Sequence, residues 1–270
     1  MSAAVRIISI ARYTFLEAVR DRVFYNLIVF AVLVGGSALV MGQISIGIER
    51  VLLVNLGLTA LSLIGVILAV FLSIGMVSKE IERRTLYTVL TRPVQRWEFL
   101  VGKFCGLAAT LSANTLLMAA GFSATLVWQT RSLAASAGLP AASAMVSPDL
   151  LAAIYFLFLQ MVIVVAVGIF FSAMSSPLLA AVFTTAIFLI GNFTGDLRVA
   201  AKVATGVAHW AGMAATWVLP DLSSLNVIAA VAHGQGIAAQ LIWLNTLYAA
   251  LYCGAVLGGA ALIFQQRELQ

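Results

Sequence analysis

Residues 150–195 read LLAAIYFLFLQMVIVVAVGIFFSAMSSPLLAAVFTTAIFLIGNFTG, a run of 46 residues without one charged side chain. A helix needs about 20 apolar residues to cross roughly 30 Å of hydrocarbon, so the run is long enough for two crossings. Ser175-Ser176-Pro177 divides it. Proline has no amide hydrogen and its ring collides with the preceding turn, so one helix stops here and the next begins. The stretch therefore predicts two spans, near 150–174 and 178–195, joined by a tight turn.

The same test extends outward along the chain. Val23–Ile48 (26 residues), Val51–Ser78 (28) and Phe104–Thr130 (27) are also free of charge, and Leu222–Gln266 holds one more crossing after an irregular start. Spans are predicted near 23–46, 52–77, 104–128 and 240–264, which makes six. Composition agrees, with 63% of the 270 residues hydrophobic, 9% charged and a mean hydropathy of +1.08. A soluble domain carries about 25% charged residues, and this chain could not cover a soluble surface. The fold class is an all-α, polytopic membrane protein, and a soluble enzyme is excluded. The first apolar run is too long for a signal-peptide core and has no cleavage pattern after it.

Val203–Leu219 is the ambiguous stretch. It is moderately apolar, but it holds Thr205, Gly206, His209 and Gly212, ends at Pro220, and follows Asp196, Arg198 and Lys202. It reads as an interfacial or re-entrant helix within an external segment, 196–238, in preference to a seventh span, because irregular backbone at membrane depth survives only inside protein.

Charge then orients the six spans. With the N-terminus inside, Arg6, Arg12, Arg20, Arg22, Lys79, Arg83, Arg84, Arg92, Arg96, Lys103 and Arg267 are cytoplasmic, 11 of the 15 basic residues, against Arg50, Arg131, Arg198 and Lys202 outside. This meets the positive-inside rule with both termini cytoplasmic. It also accounts for the net charge of +5 without nucleic acid. Cys105 and Cys253 lie in apolar runs without CxxC or a neighbouring His, and read as small core residues with no metal or disulfide.

Residues 5–22 are too charged to span. Arg6, Ser9, Tyr13, Glu17 and Arg20 recur at helical spacing on one face, with Ile8, Ala11, Phe15, Ala18 and Val19 on the other. This is an amphipathic helix expected in the cytoplasmic interface, its apolar face in lipid and its arginines near anionic headgroups; a plain flank of the first span is the alternative.

The long cytoplasmic connection is Lys79–Lys103, KEIERRTLYTVLTRPVQRWEFLVGK, with nine of the chain's 25 charges. Leu86, Val89 and Leu90 form an apolar patch on a short helix, 79–91, which Pro93 ends. Trp97 fits an interfacial anchor. Orientation alone needs only bases, yet Glu80, Glu82 and Glu98 interleave with six basic residues. A mixed-charge helix with an apolar patch reads as a docking surface for a soluble partner.

Chemistry carried by the chain itself finds little support. No G-x-x-x-x-G-K-[ST] occurs, since Gly102-Lys103 has Trp97 in place of the first glycine and Phe104 behind it. Neither G-x-S-x-G nor H-E-x-x-H occurs, and His209 and His233 have no carboxylate at ligand spacing. No catalytic or metal-ligating residue is assigned. The six spans hold no acid or base, which argues against an ion-coupled transporter, the alternative class. Their polar groups are Asn55, Thr59, Ser62 and Ser73 on one face, Asn114 and Thr125 on another, Gln160, and Thr184 with Asn192. Asn55, Thr59, Ser62 and Asn192 are the candidates to line a pathway; hydrogen bonding between helices, for about 0.6 kcal/mol on average, is the plainer role. Gly102-x-x-x-Gly106 and Gly254-x-x-x-Gly258 allow close helix approach, within one subunit in preference to between two.

The order Glu80 and Glu82, Thr85-Leu86, Pro93 and Gly102-Lys103 resembles the loop between the second and third spans of ABC exporter permeases of the second type. The closing run from Leu247-Tyr248 to Phe264, followed by Gln265-Gln266-Arg267-Glu268, is similar to that family's last span. Leu219–Asn226, LPDLSSLN, resembles its preceding outer segment, most closely in permeases of the nitrous-oxide-reductase maturation group. Family members often have Gly before the Thr-Leu pair, where this chain has Arg84. The resemblance covers the whole chain.

It implies a membrane subunit of a bacterial cytoplasmic-membrane exporter, paired with a second permease (a homodimer in preference to a heterodimer). Two separate P-loop ATPase subunits would drive it, with ATP and magnesium bound in those partners and no cofactor in this chain. The 79–91 helix becomes the coupling helix, and Glu80, Glu82, Arg83, Arg84, Thr85, Leu86, Arg92 and Arg96 become the expected ATPase contacts. The alternative is a self-sufficient secondary transporter or channel for hydrophobic solutes.

Overall fold

The structure is a computed structural model that describes residues 3–21, 27–36, 49–82, 95–137 and 147–266. All regular structure among them is helical. In chain order, α1 is Ala3–Asp21, α2 Leu27–Gly36, α3 Glu49–Glu82, α4 Arg96–Ala137, α5 Pro148–Met174 and α6 Pro177–Asn192. Then follow α7 Thr194–Val203, α8 Val207–Val218, a 3-10 turn at Ser223–Leu225, α9 Ile228–Ala232 and α10 Ala239–Gln266.

Four helices are long and apolar enough to cross a membrane: Val51–Gly75 in α3, Trp97–Arg131 in α4, α5, and Ala239–Ile263 in α10. The number rises to six if each of two bent pairs counts as one span, Pro177–Asn192 with Thr194–Val203 and His209–Val218 with Ser223–Ala232. Of the first expected span, near 23–46, the described part is the ten-residue α2. At 1.5 Å per residue α3 is about 50 Å long and α4 about 60 Å, so both outreach the hydrocarbon and carry their ends clear of it.

The turn expected at Ser175-Ser176-Pro177 is present. Helix α5 closes with the Ser175 amide donating to the Phe171 carbonyl at 2.9 Å, and α6 opens with Pro177 in its first turn. At the other end of α5, Ser147 caps the helix by accepting from the Leu150 amide at 3.3 Å, again with proline next. A proline loses nothing there, since the first amides of a helix lack helical acceptors.

Helix α5 forms the centre of the bundle, packed against α3, α4, α6 and α10. Its buried face includes Ala153, Phe156, Ile163, Ala166 and Ile169. Close approach is set by glycine. Gly57 of α3 receives the Phe122 ring of α4, Gly65 receives the Met161 side chain of α5, and Gly168 of α5 receives Ser73. Lipid tails are as apolar as leucine, so helix association in a bilayer rests on such fitted contacts.

Helix α1 does not lie free on a surface. It packs along the start of α4, where a Cβ on Gly102 would come within 2.8 Å of Ile10 and one on Gly106 within 2.6 Å of the Ala11 carbonyl. The first small-residue pair is thus spent on packing within the subunit, as expected. The second is open, since a Cβ at Gly254 or Gly258 would meet nothing within 4 Å among the described residues.

The stretch expected as the fifth span departs from a straight helix ending at 195. Helix α6 stops at Asn192, and α7 leaves it at 62°. The chain then returns. The Leu222 amide donates to the Gly191 carbonyl at 3.0 Å, the Gly195 amide to Ser223 Oγ at 3.1 Å, and Thr194 Oγ1 to the Pro220 carbonyl at 3.2 Å. Helix α9 closes on Gly234, at φ +73°, with its amide on the Val231 carbonyl and the Gln235 amide on the Ala230 carbonyl. That paired closure needs a left-handed residue, hence glycine.

Candidate functional site

The connection expected to face a soluble partner begins as the end of α3. Glu80 and Glu82 stand in the last turn of that helix, continuous with the span. Arg83, Arg84, Thr85, Leu86 and Arg92 lie outside the described residues, with all of 83–94. Arg96 is the first residue of α4. The described ones, Glu80, Glu82 and Arg96, thus flank the connection 83–94 from the ends of two long helices.

The rejoining end is closed by hydrogen bonds. Glu98 accepts the Gln95 amide at 3.2 Å, while the Glu98 and Phe99 amides donate to the Gln95 carbonyl. This reciprocal arrangement satisfies amides that a helix start leaves without acceptors. Trp97 donates its indole N–H to the Gln95 side chain and is exposed. Lys103 is buried with its ammonium 5.7 Å from the Phe99 ring centre, a cation–π geometry.

The same Glu98 binds a second partner that sequence reasoning missed. Arg6 of α1 donates from Nε to Oε2 at 2.8 Å and from its terminal nitrogen to Oε1 at 2.6 Å. The hydrogen bond to Glu98 pushes the Arg6 guanidinium further above its ordinary value. Arg6 is therefore turned onto protein and not toward headgroups. Glutamate three residues after Gln95, at the start of an apolar run, is the only signal in the sequence; nothing there names Arg6.

Among the pathway candidates, Asn55, Thr59 and Ser62 do share a face of α3. Thr59 donates to the Asn55 side chain at 3.4 Å, Asn55 is exposed, and Thr59 and Ser62 are half-buried. The side chains Leu52, Leu56, Leu63 and Ile67 around them are exposed. Asn192 is held elsewhere. It accepts from Gln160 of α5 at 3.1 Å and donates to the Phe188 carbonyl at 2.8 Å. Replacing Gln160 by methionine is expected to lower the melting temperature of the purified protein only slightly, since such bonds in bilayers are worth about 0.6 kcal/mol on average and about 1.7 at most.

The returning segment is fastened to α10 in three places. Asn245 donates to the Ser224 carbonyl at 3.3 Å, Tyr248 accepts the Asp221 amide at 2.7 Å, and Tyr252 donates to the Val218 carbonyl at 3.2 Å. Counted from Ala239 at 1.5 Å per residue, these lie about 9, 14 and 20 Å along α10. The Asp149 carboxylate accepts the Ile237 amide at 2.8 Å near the start of α10. The stretch 218–224 thus runs antiparallel to the first half of that helix, with Arg198 paired to Asp221 at 3.0 Å. Every backbone group named here has a protein partner.

No group of three or more His, Cys, Asp or Glu able to hold a metal occurs among the described residues. No curated protein matches the chain. A family model described as ABC-2 family transporter protein matches residues 8–269, nearly the whole sequence. Apolar helices in series, a charged connection between two of them and this match lead to one conclusion: the chain belongs to the ABC-2 family of transporter proteins, a multi-pass membrane permease that works with an ABC ATPase subunit.

Proposed function

We propose that this permease is the membrane half of an exporter in which two copies of the chain enclose the pathway and two ATPase subunits dock on the connection 79–103. ATP and magnesium belong to the partner. The termini are cytoplasmic, in a bacterial cytoplasmic membrane; α1 rests at the inner interface, and 196–238 is a re-entrant segment of the opposite side. The Leu219–Asn226 stretch supports a place near the nitrous-oxide-reductase maturation group, for which assembly of an exported metalloenzyme is one option among cargoes.

The observation that carries the pairing is the polar face of α3. Asn55 is exposed and Thr59 and Ser62 only half-covered, at about 6, 12 and 17 Å from Val51 along the helix axis. Polar groups in spans face protein or water in preference to lipid. A second copy set against this face would turn the three groups inward. Closure of the ATPase pair would push the end of α3 at Glu80 and Glu82, and the tilt of α3 and α6 would change access to the pathway.

The docking assignment is tested by charge reversal. Glu82→Arg with Arg84→Glu is expected to abolish co-purification of the ATPase from native membranes while the permease remains at wild-type level. Undiminished recovery of the ATPase, with unaltered ATP hydrolysis, would show that the connection is not the contact.

A further inference from the structure

We infer that Arg6 and Glu98 are a positioning pair, through which α1 serves as a strut for the ATPase-facing connection. The inference rests on the docking reading above and assigns a role to residues outside the contact itself.

Three observations carry it. One carboxylate does two jobs: Glu98 caps the end of α4 where the connection rejoins the bundle, and it takes both nitrogens of the Arg6 fork. The pair is sheltered, with Glu98 1% and Arg6 24% exposed. A forked, charge-assisted contact fixes direction as well as distance, which a lysine could not reproduce. Finally, the pair does not act alone. One and two turns further along α4, Gly102 and Gly106 seat Ile10, Ala11 and Thr14, and Thr14 is fully buried.

Helix α1 is therefore held to α4 along about two turns, with its charged lock at the end next to the connection. Two packed helices resist bending better than one. A force applied by a docked ATPase at 83–94 would reach α4 through Gln95 and Glu98. With the lock closed, α1 and α4 move as a body and the force is passed to the bundle. With the lock open, the first turn of α4 yields and the force is absorbed there.

The experiment uses the permease together with the ATPase that co-purifies with it, in nanodiscs, supplied with magnesium and ATP. Arg6→Ala and Glu98→Gln are compared with the charge swap Arg6→Glu/Glu98→Arg and with Arg6→Lys. Two readouts are taken, the amount of ATPase bound per permease and the permease-dependent part of ATP hydrolysis. Expected are wild-type binding but loss of permease-dependent hydrolysis by about 5-fold or more, the low end of coupling between sites, in both single variants. The charge swap, which restores the ion pair but not the acceptor for the Gln95 amide, is expected to restore part of it. Arg6→Lys, which keeps the charge and loses the fork, is expected to fall between.

Each variant is also spin-labelled at Tyr13→Cys and Trp97→Cys, with the native Cys105 and Cys253 replaced by serine. The distance distribution is expected to be narrow in the wild-type pair, broad in the single variants and narrow again in the swap. If no ATPase co-purifies with the unaltered permease, the docking reading falls. If it binds all forms and hydrolysis is the same in each, the positioning role falls while docking stands. A variant that loses hydrolysis but keeps the narrow distribution, or a swap that restores neither readout, also overturns it.

Discussion

Gly106→Leu is expected to unseat α1, whereas Gly254→Leu leaves the stability of the single chain unchanged. The two glycines belong to identically spaced pairs, and no property of the sequence separates them. At position 106 even a methyl group would lie 2.6 Å from the Ala11 carbonyl and 2.6 Å from Thr14 Cβ. One of those atoms is backbone, so no rotamer change relieves the contact, and α1 must move away as a whole. Overpacking of this kind costs about 1–3 kcal/mol, and here it also removes the seat that brings Arg6 to Glu98. Limited trypsin digestion of the solubilised protein measures the effect directly, because Arg12 is exposed on α1 but its backbone is protected while the helix is docked. Cleavage after Arg12 should accelerate in Gly106→Leu and not in Gly254→Leu. Equal lifetimes for Gly106→Leu and wild type would mean that α1 and α4 do not pack as described.

The second large effect concerns the bundle itself. Phe122 is fully buried and its ring fills the space over Gly57. Phe122→Ala is expected to cost about 2 kcal/mol or more from the cavity alone, taking ~24 cal/mol per Å³ and a loss of roughly 100 Å³. In a bilayer the solvent-transfer part of the usual penalty largely disappears, because the alternative environment is itself apolar. Gly57→Leu is also expected to destabilise, since its side chain claims the volume the ring occupies. Combined, the two should recover much of the loss, as leucine enters the space the ring vacates. Thermal unfolding of the four proteins in one detergent closes the cycle, and residues in contact show interaction energies of about 0.5–3 kcal/mol. Additive losses would show that Phe122 and Gly57 are not partners.

Particular residues explain which features can be read from sequence alone. The break between α5 and α6 is legible because Pro177 forbids helix continuation through a local steric rule. The shared face of Asn55, Thr59 and Ser62 is legible because 3.6-residue periodicity is also local. The bend after Asn192 is not, since no proline marks it. It is imposed by the returning chain, whose Leu222 amide and Pro220 carbonyl engage Gly191 and Thr194 from about 30 residues away. The glycines at 191 and 195 are the only hint, and they become meaningful once the returning segment presses on them. The pairing of Arg6 with Glu98 is hidden for the same reason. An amphipathic pattern says that residues share a face, not what the face meets. Lipid, headgroup and a neighbouring helix select nearly the same residues for α1.

The lock between α1 and α4 also sets a timetable for synthesis. Its partners are 92 residues apart, and at about 5–20 residues per second the ribosome needs roughly 5–20 s to pass from one to the other. During that interval α1 has neither Gly102 nor Gly106 to rest on. Its exposed Ile8, Tyr13 and Leu16 suit a temporary berth on the bilayer surface. In the nascent chain α1 is thus a floating segment, captured only when the stretch that carries Gly102 and Gly106 has been made.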